Sequence, residues 1–219
     1  MAELRLGPVP GGGRRVLEAA HHLLRAAGLE IRDVDRIVVG VGPGGFTGLR
    51  IGVATALGLG QALGIPVVGA VSLEALAVGI ADAVWAAADR PLLAPVIDAR
   101  RREVFGALYR AAAGGALEEL LPPAARSPAG LAAAVARVAG EERVYVAGNG
   151  VEAYPAQLAQ APLTPLPPDS PAHRVSAVDL VRRVEAGGGR PAVPLYLRLP
   201  DAEVNRLRAE ARRAERSAA

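Results

Sequence analysis

The alternation of apolar and polar positions divides the chain into short β-branched runs and longer helical stripes. Ile37, Val38, Val39 and Val41 form one such run, with the composition of a buried strand. Gly42-Pro43-Gly44-Gly45 ends it, because glycine accepts positive φ and proline blocks both ladder and helix. From Thr47 the spacing becomes helical. Ile51, Ala54, Leu57 and Leu59 fall near one face, Arg50 lies off it, and Thr47 is placed to cap the first turn. A strand, a glycine loop and a helix start bring free N–H groups and the positive end of the helix dipole together, a geometry that favours anions. The same turn also serves simply to pack a helix closely on a sheet.

Upstream, Met1–Leu6 reads as a short strand and Gly7–Gly13 as a loop. Arg14–Gly28 has the helical period, with Val16, Ala20, Leu23 and Ala27 on one stripe and Leu17, His21 and Leu24 on the next. Two stripes are more than one sheet face covers. Such a helix is either buried in the core or lends its second stripe to a partner. Downstream, Pro66–Val71 is a strand and Ser72, as N-cap, opens a helix reaching about Ala88. Three successive strands follow: Leu92–Asp98, Glu103–Tyr109 after the polar turn Ala99–Arg102, and Ala116–Leu121. Ser127 begins a helix to Gly140, Arg143–Ala147 is a strand, and Val151–Gln160 is a short helix interrupted at Pro155. Ala161–Pro171 reads as a Pro-rich loop and Ser176–Glu185 as an amphipathic helix. The charged tail from Asp201 lies outside the core. The order predicts an α/β chain of two units, residues 1–91 and 92–195, with 196–219 as a C-terminal segment.

Composition narrows the function classes. Hydrophobic residues make up 51% of the 219, yet aromatics only 3%, so the core must be built from Ala, Leu and Val. All 25 basic residues are arginine and face 22 acids, leaving a net charge of +3. That balance does not mark a dedicated nucleic-acid binder, and the few scattered aromatics give no visible stacking platform. With no cysteine, disulfides, thiolate catalysis and Cys-based zinc sites are all excluded. No stretch reads as a signal peptide or a membrane span, so a cytoplasmic protein is expected.

The candidate chemistry is sparse. A P-loop needs Gly-Lys-Ser/Thr, but Gly48 is followed by Leu49-Arg50. Gly40, Gly42 and Gly45 match the dinucleotide fingerprint in form, yet the next strand ends in Ser72 instead of an acid. Asp98 closes an apolar strand and is the best lone carboxylate, either facing a metal or phosphate or satisfying the backbone of its turn. Arg100, Arg101 and Arg102 make a basic turn that suits a phosphate or a solvated hairpin tip. His21 and His22 point about 100° apart on their helix and have no third ligand at metal spacing. His173 reads as a loop or cap residue, Asp179 and Glu185 lie on the face of the late helix, and no Ser/His/Asp set converges.

Three blocks carry a resemblance. GVGPGGFTGLRIGVATALGLGQALGIPVVGAVSLEALA from Gly40, PVIDARRREVFGALY from Pro95 and PLYLRLPDAE from Pro194 resemble, in order, the landmarks of the bacterial TsaB (YeaZ) family. The likeness implies an actin-like/Hsp70-like ATPase fold with two related βββαβα-type halves. Met1–Leu6 aligns with the third strand of the first half, so the first two strands lack a counterpart and the first sheet is expected to show an unpaired edge. The resemblance implies a non-catalytic subunit of the complex that forms N6-threonylcarbamoyladenosine at position 37 of tRNA. Its partners would be a TsaD-type catalytic subunit and a TsaE-type ATPase subunit, with tRNA met through the complex and a homodimer when alone. It implies no cofactor of its own, with ATP and a divalent metal on the partner, and no metal ligands. The family's heterodimer contact maps by position onto Leu17, His21, Leu24, Phe46, Leu49, Arg50 and Val53. The candidate nucleotide-proximal positions are Gly42, Gly44, Thr47 and Asp98. Glycine is usual in the family where Arg102 stands, and serine where Gly45 stands. The alternative from another class is a small actin-like-fold ATPase or kinase acting alone through Asp98 and the glycine loops. A third, metallopeptidase-like reading lacks metal ligands.

Overall fold

In the computed structural model, residues 3–5, 12–86 and 89–198 are described. The elements are α1 (Gly12–Ala26), β1 (Ile37–Gly42), α2 (Phe46–Leu63), β2 (Val67–Val71), α3 (Ser72–Val84), β3 (Leu92–Arg100), β4 (Glu103–Ala111) and β5 (Leu117–Arg126). They continue as α4 (Pro128–Ala139), β6 (Val144–Ala147), α5 (Asn149–Ala153), α6 (Pro155–Leu158), β7 (Leu163–Pro165), α7 (Ala177–Arg183) and β8 (Arg190–Pro191). They build two sheets, one in the order β1-β2-β8 and the other in the order β5-β4-β3-β6-β7.

The five-stranded sheet follows from the meander read in the sequence. β3 runs antiparallel to β4 and β4 to β5, while β6 and β7 continue parallel on the other edge of β3. Alternation along the strands divides the core into two layers. Leu93, Phe105, Ala107 and Tyr109 pack under α3, whereas Leu92, Val96, Val104 and Leu108 pack under α4 and α6. Gly106 sits where any Cβ would strike Leu131, so its missing side chain seats α4 on the sheet. Gly148 is tighter still: at φ 122° its Cβ would lie 2.0 Å from the Val96 carbonyl oxygen.

The first sheet is smaller. β1 and β2 are parallel, and β8 closes the far edge of β2 antiparallel. Among the described residues β1 has a strand neighbour on one edge only. Residues 3–5, within the segment expected as a strand, are not in one; the rest of that segment and the tail from Asp201 lie outside the described residues. The Glu3 carboxylate instead accepts hydrogen bonds from Ser176 Oγ at 2.9 Å and Ala177 N at 3.1 Å, holding the start of α7. Segment 177–191, grouped by sequence with the second unit, returns to the first: α7 packs on α3 and β1, and β8 pairs with β2. β7 runs through the stretch expected to be a proline-rich loop, because hydrogen bonds to β6 outweigh the local bias against strand.

The contrast between crowded and open glycines is testable. Gly148→Ala is expected to destabilise the fold by about 3 kcal/mol or more, since a buried carbonyl has nowhere to move. Gly58, on the solvent side of α2, meets nothing within 4 Å. Gly58→Ala is expected to gain about 0.5–1 kcal/mol from helix propensity. Chemical denaturation of both variants reads the difference.

Candidate functional site

The signature loop starts where β1 runs out. Gly42 has φ 105°, and a Cβ there would sit 3.0 Å from both the Leu195 carbonyl oxygen and the Leu49 side chain, so only glycine fits. Gly44 meets nothing within 4 Å. The N-cap of α2 is Gly45, not Thr47, and it supplies no side-chain hydrogen bond. Thr47 therefore lies inside the first turn, exposed, because the helix starts two residues earlier than a Thr47 cap would place it. Ser72 is likewise the first residue of α3, not its cap.

Residues 192–198 then cross this loop as a strap. Leu195 N donates to the Val41 carbonyl at 2.7 Å, Leu195 and Leu197 pack on the core, and Arg198 pairs with Glu103 at 2.7 Å. Tyr196 meets α2. Its ring centroid lies 4.9 Å from that of Phe46, and Arg50 donates to its hydroxyl at 2.8 Å while lying 3.9 Å over the Phe46 ring. Sequence reading singles out Phe46, Arg50 and the PLYLR block separately, but gives no sign that they meet. Only the strap's return to β1 joins them.

The seven candidate contact positions fall on α1 and α2. Leu17 and His21 are exposed, Leu24, Phe46 and Leu49 half-buried, and Arg50 exposed. Val53 is buried beneath α2, so it supports that surface instead of forming it. No described side chain of α1 is buried, and only Val53, Ala56 and Gly60 of α2 are. Leu17, Val16, Ile51 and Leu57 each keep 43–49% of their surface exposed.

The carboxylate candidates are already engaged. Asp98 Oδ1 accepts from Arg100 N at 2.8 Å, its other oxygen pairs with the Arg100 guanidinium at 3.2 Å, and its own N–H donates to Asn149. The turn it serves holds Arg100, Arg101 and Arg102 at φ 62°, 57° and 61°, three successive residues in the left-handed region. His173 is buried. Its ring lies 3.0 Å from the Pro167 carbonyl through Nε2, and Nδ1 accepts from Gly148 N at 3.2 Å, so the ring pins the α5 loop. Among the described residues no group of three or more His, Asp or Glu is arranged for a metal. Sequence reading passes over Asp179 as a helix-face residue. It lies in a cleft of about 400 Å³ between α3 and α7, against Gly79, where a Cβ would lie 2.9 Å from its carboxylate. Burial, then the charge of Asp82, pushes it up to about 6 despite Arg182 beside it.

A profile of the family described as TsaD, tRNA N6-adenosine threonylcarbamoyltransferase, matches residues 13–160. An uncharacterized protein of Mycobacterium tuberculosis is 40% identical over 181 residues, covering 82% of this chain and 72% of that one. The chain belongs to the TsaD family. The Bacillus subtilis protein named tRNA threonylcarbamoyladenosine biosynthesis protein TsaB is 38% identical over 108 residues, 49% of this chain and 44% of its own length. YeaZ from Pseudomonas aeruginosa superposes with a TM-score of 0.66 at 28% identity, covering 86% of this chain and 85% of that one. The actin-like ATPase-type α/β fold is thereby established for this TsaB-like chain.

Two variants test this reading of the site. Burial favours protonated Asp179, so its contribution is fully present below pH 4 and is lost as pH rises through about 6. Asp179→Asn should flatten that dependence and stabilise the protein at pH 7 by on the order of 1–3 kcal/mol, measured by denaturation from pH 4 to 8. Arg102→Gly should gain about 1 kcal/mol by relieving a left-handed conformation. A loss of stability instead would show that the Arg102 side chain anchors the turn.

Proposed function

We propose that this chain takes part in forming N6-threonylcarbamoyladenosine in tRNA as a non-catalytic subunit that pairs with a TsaD-type catalytic subunit. The observation that carries the proposal is the state of α1 and α2. Two adjacent apolar helices leave Val16, Leu17, Ile51 and Leu57 largely exposed, and no described α1 side chain is buried. A helix with no buried residue contributes little to its own fold, so its apolar stripe is explained by a surface that covers it. Half-buried Phe46 and exposed Arg50, braced by Tyr196, supply the anchor types found at binding hot spots. The Bacillus subtilis relative is named as a threonylcarbamoyladenosine biosynthesis protein, which supports the reading. ATP and a divalent metal would then belong to the partner, and a TsaE-type ATPase subunit would complete the assembly.

Co-expression with a TsaD-type subunit tests the pairing. The wild-type chain should elute as a stable complex on size exclusion. Leu17→Asp, which changes only an exposed side chain, should weaken pairing at least tenfold with the melting temperature unchanged within about 2 °C. Undiminished pairing by Leu17→Asp and Leu24→Asp together would remove α1 from the interface.

A further inference from the structure

The two ends of the five-stranded sheet differ in charge in a way that the net +3 of the chain conceals. At the end where β3 turns into β4, Arg100, Arg101 and Arg102 are all exposed. Arg126, at the end of β5 in register with Val104, is half-buried and donates to the Gly106 and Pro122 carbonyls, and Arg198 arrives on the strap paired with Glu103. Asp98 and Glu103 are the acids of that same turn and its two strand ends. At the opposite end Glu118, Glu119, Glu141 and Glu142 stand beside Arg90, Arg110 and Arg143; Arg110 grips Glu142 with two hydrogen bonds, and Arg90 pairs with Glu118.

The turn itself is a costly way to hold arginine. Three successive left-handed residues suit glycine, and glycine would tighten the same hairpin without strain. Backbone strain of this kind persists where surrounding structure imposes it, here through Asp98, whose carboxylate holds both the Arg100 N–H and its guanidinium. What the strain achieves is presentation. Consecutive left-handed residues on a tight tip splay their side chains outward, and Arg100 keeps 85% of its side chain in solvent.

We propose that this arginine edge binds the phosphodiester backbone of RNA. The inference rests on the proposed function, in which the chain acts on tRNA within an assembly, and it assigns this chain a direct share of the RNA contact. A polymer fits better than a single nucleotide, because Arg100, Arg101 and Arg102 are exposed side by side at a hairpin tip. Planar guanidinium forks match phosphate oxygens and carry no base preference, which predicts backbone contact without sequence reading. The edge belongs to the second sheet, whereas α1 and α2 flank the first, so one assembly can engage partner and RNA together.

The test is tRNA binding by fluorescence anisotropy across a salt series, using the full chain alone and in complex with a TsaD-type subunit. The double variant R101G/R102G removes two charges yet leaves a turn that glycine adopts freely, so misfolding does not account for any loss. It should bind tRNA at least tenfold more weakly, with the salt slope reduced by about 1 to 2. Arg137→Gln with Arg143→Gln, at the opposite end of the sheet, should change affinity less than twofold. Wild-type affinity and slope in R101G/R102G, or an equal loss in the Arg137/Arg143 pair, would overturn the proposal. So would ATP binding that R101G/R102G abolishes while leaving tRNA binding intact. Co-elution of R101G/R102G with the TsaD-type subunit reports pairing separately, so failure of the partner reading and failure of the RNA contact are distinguishable.

Discussion

Everything in the molecule depends on α3 being buried on nearly all sides. Leu73, Ala75, Leu76, Ala77, Val78, Ile80 and Val84 are all withdrawn from solvent, because the helix leaves the small sheet at Val71 and packs on β3, β4 and β6 of the large one. A helix covered on so many faces must be narrow, which explains its alanines and the glycine at position 79, where α7 presses the Asp179 carboxylate close. The one acid in its first turn, Glu74, is held by Arg183 at 2.6 Å with both side chains nearly buried. Such a pair fixes how α7 sits on α3 more than it adds stability.

That central packing leaves the first sheet's other face to α1 and α2. The strap 192–198 ties the start of α2 to the body through Leu195 and Tyr196 and reaches the β3–β4 turn through Arg198. The signature glycines therefore act here as spacing devices. Gly42 lets the strap and Leu49 approach, whereas Gly44 and Gly45 meet nothing within 4 Å. The rigid part of the loop faces inward, and the surface it presents is helical, apolar and edged by an arginine–aromatic cluster.

Much of this was legible in the sequence because local pattern and tertiary demand agree. α1, α2 and the meander follow directly from period and punctuation, although β5 runs on to Arg126, past the Leu121 at which the pattern ended it. Elements set by distant partners were not legible. β7 and β8 are two to three residues long and rich in proline, and exist only because β6 and β2 offer them hydrogen bonds. Residues 3–5 carry β-friendly leucine, but Glu3 spends its carboxylate on α7. Arginine carries no signal for positive φ, so the strained turn at 100–102 was read only as charge. Asp179 looked like an ordinary helix-face acid, because the glycine that makes room for it lies 100 residues away in the chain.

The central claim is that α1 and α2 form the surface a TsaD-type subunit covers. Amide hydrogen exchange of the full chain, with and without that subunit, tests it most directly. The account predicts slowed exchange concentrated in residues 12–28 and 46–63, with β6 and α4 unchanged. Protection confined to the five-stranded sheet, or none on α1, would contradict it.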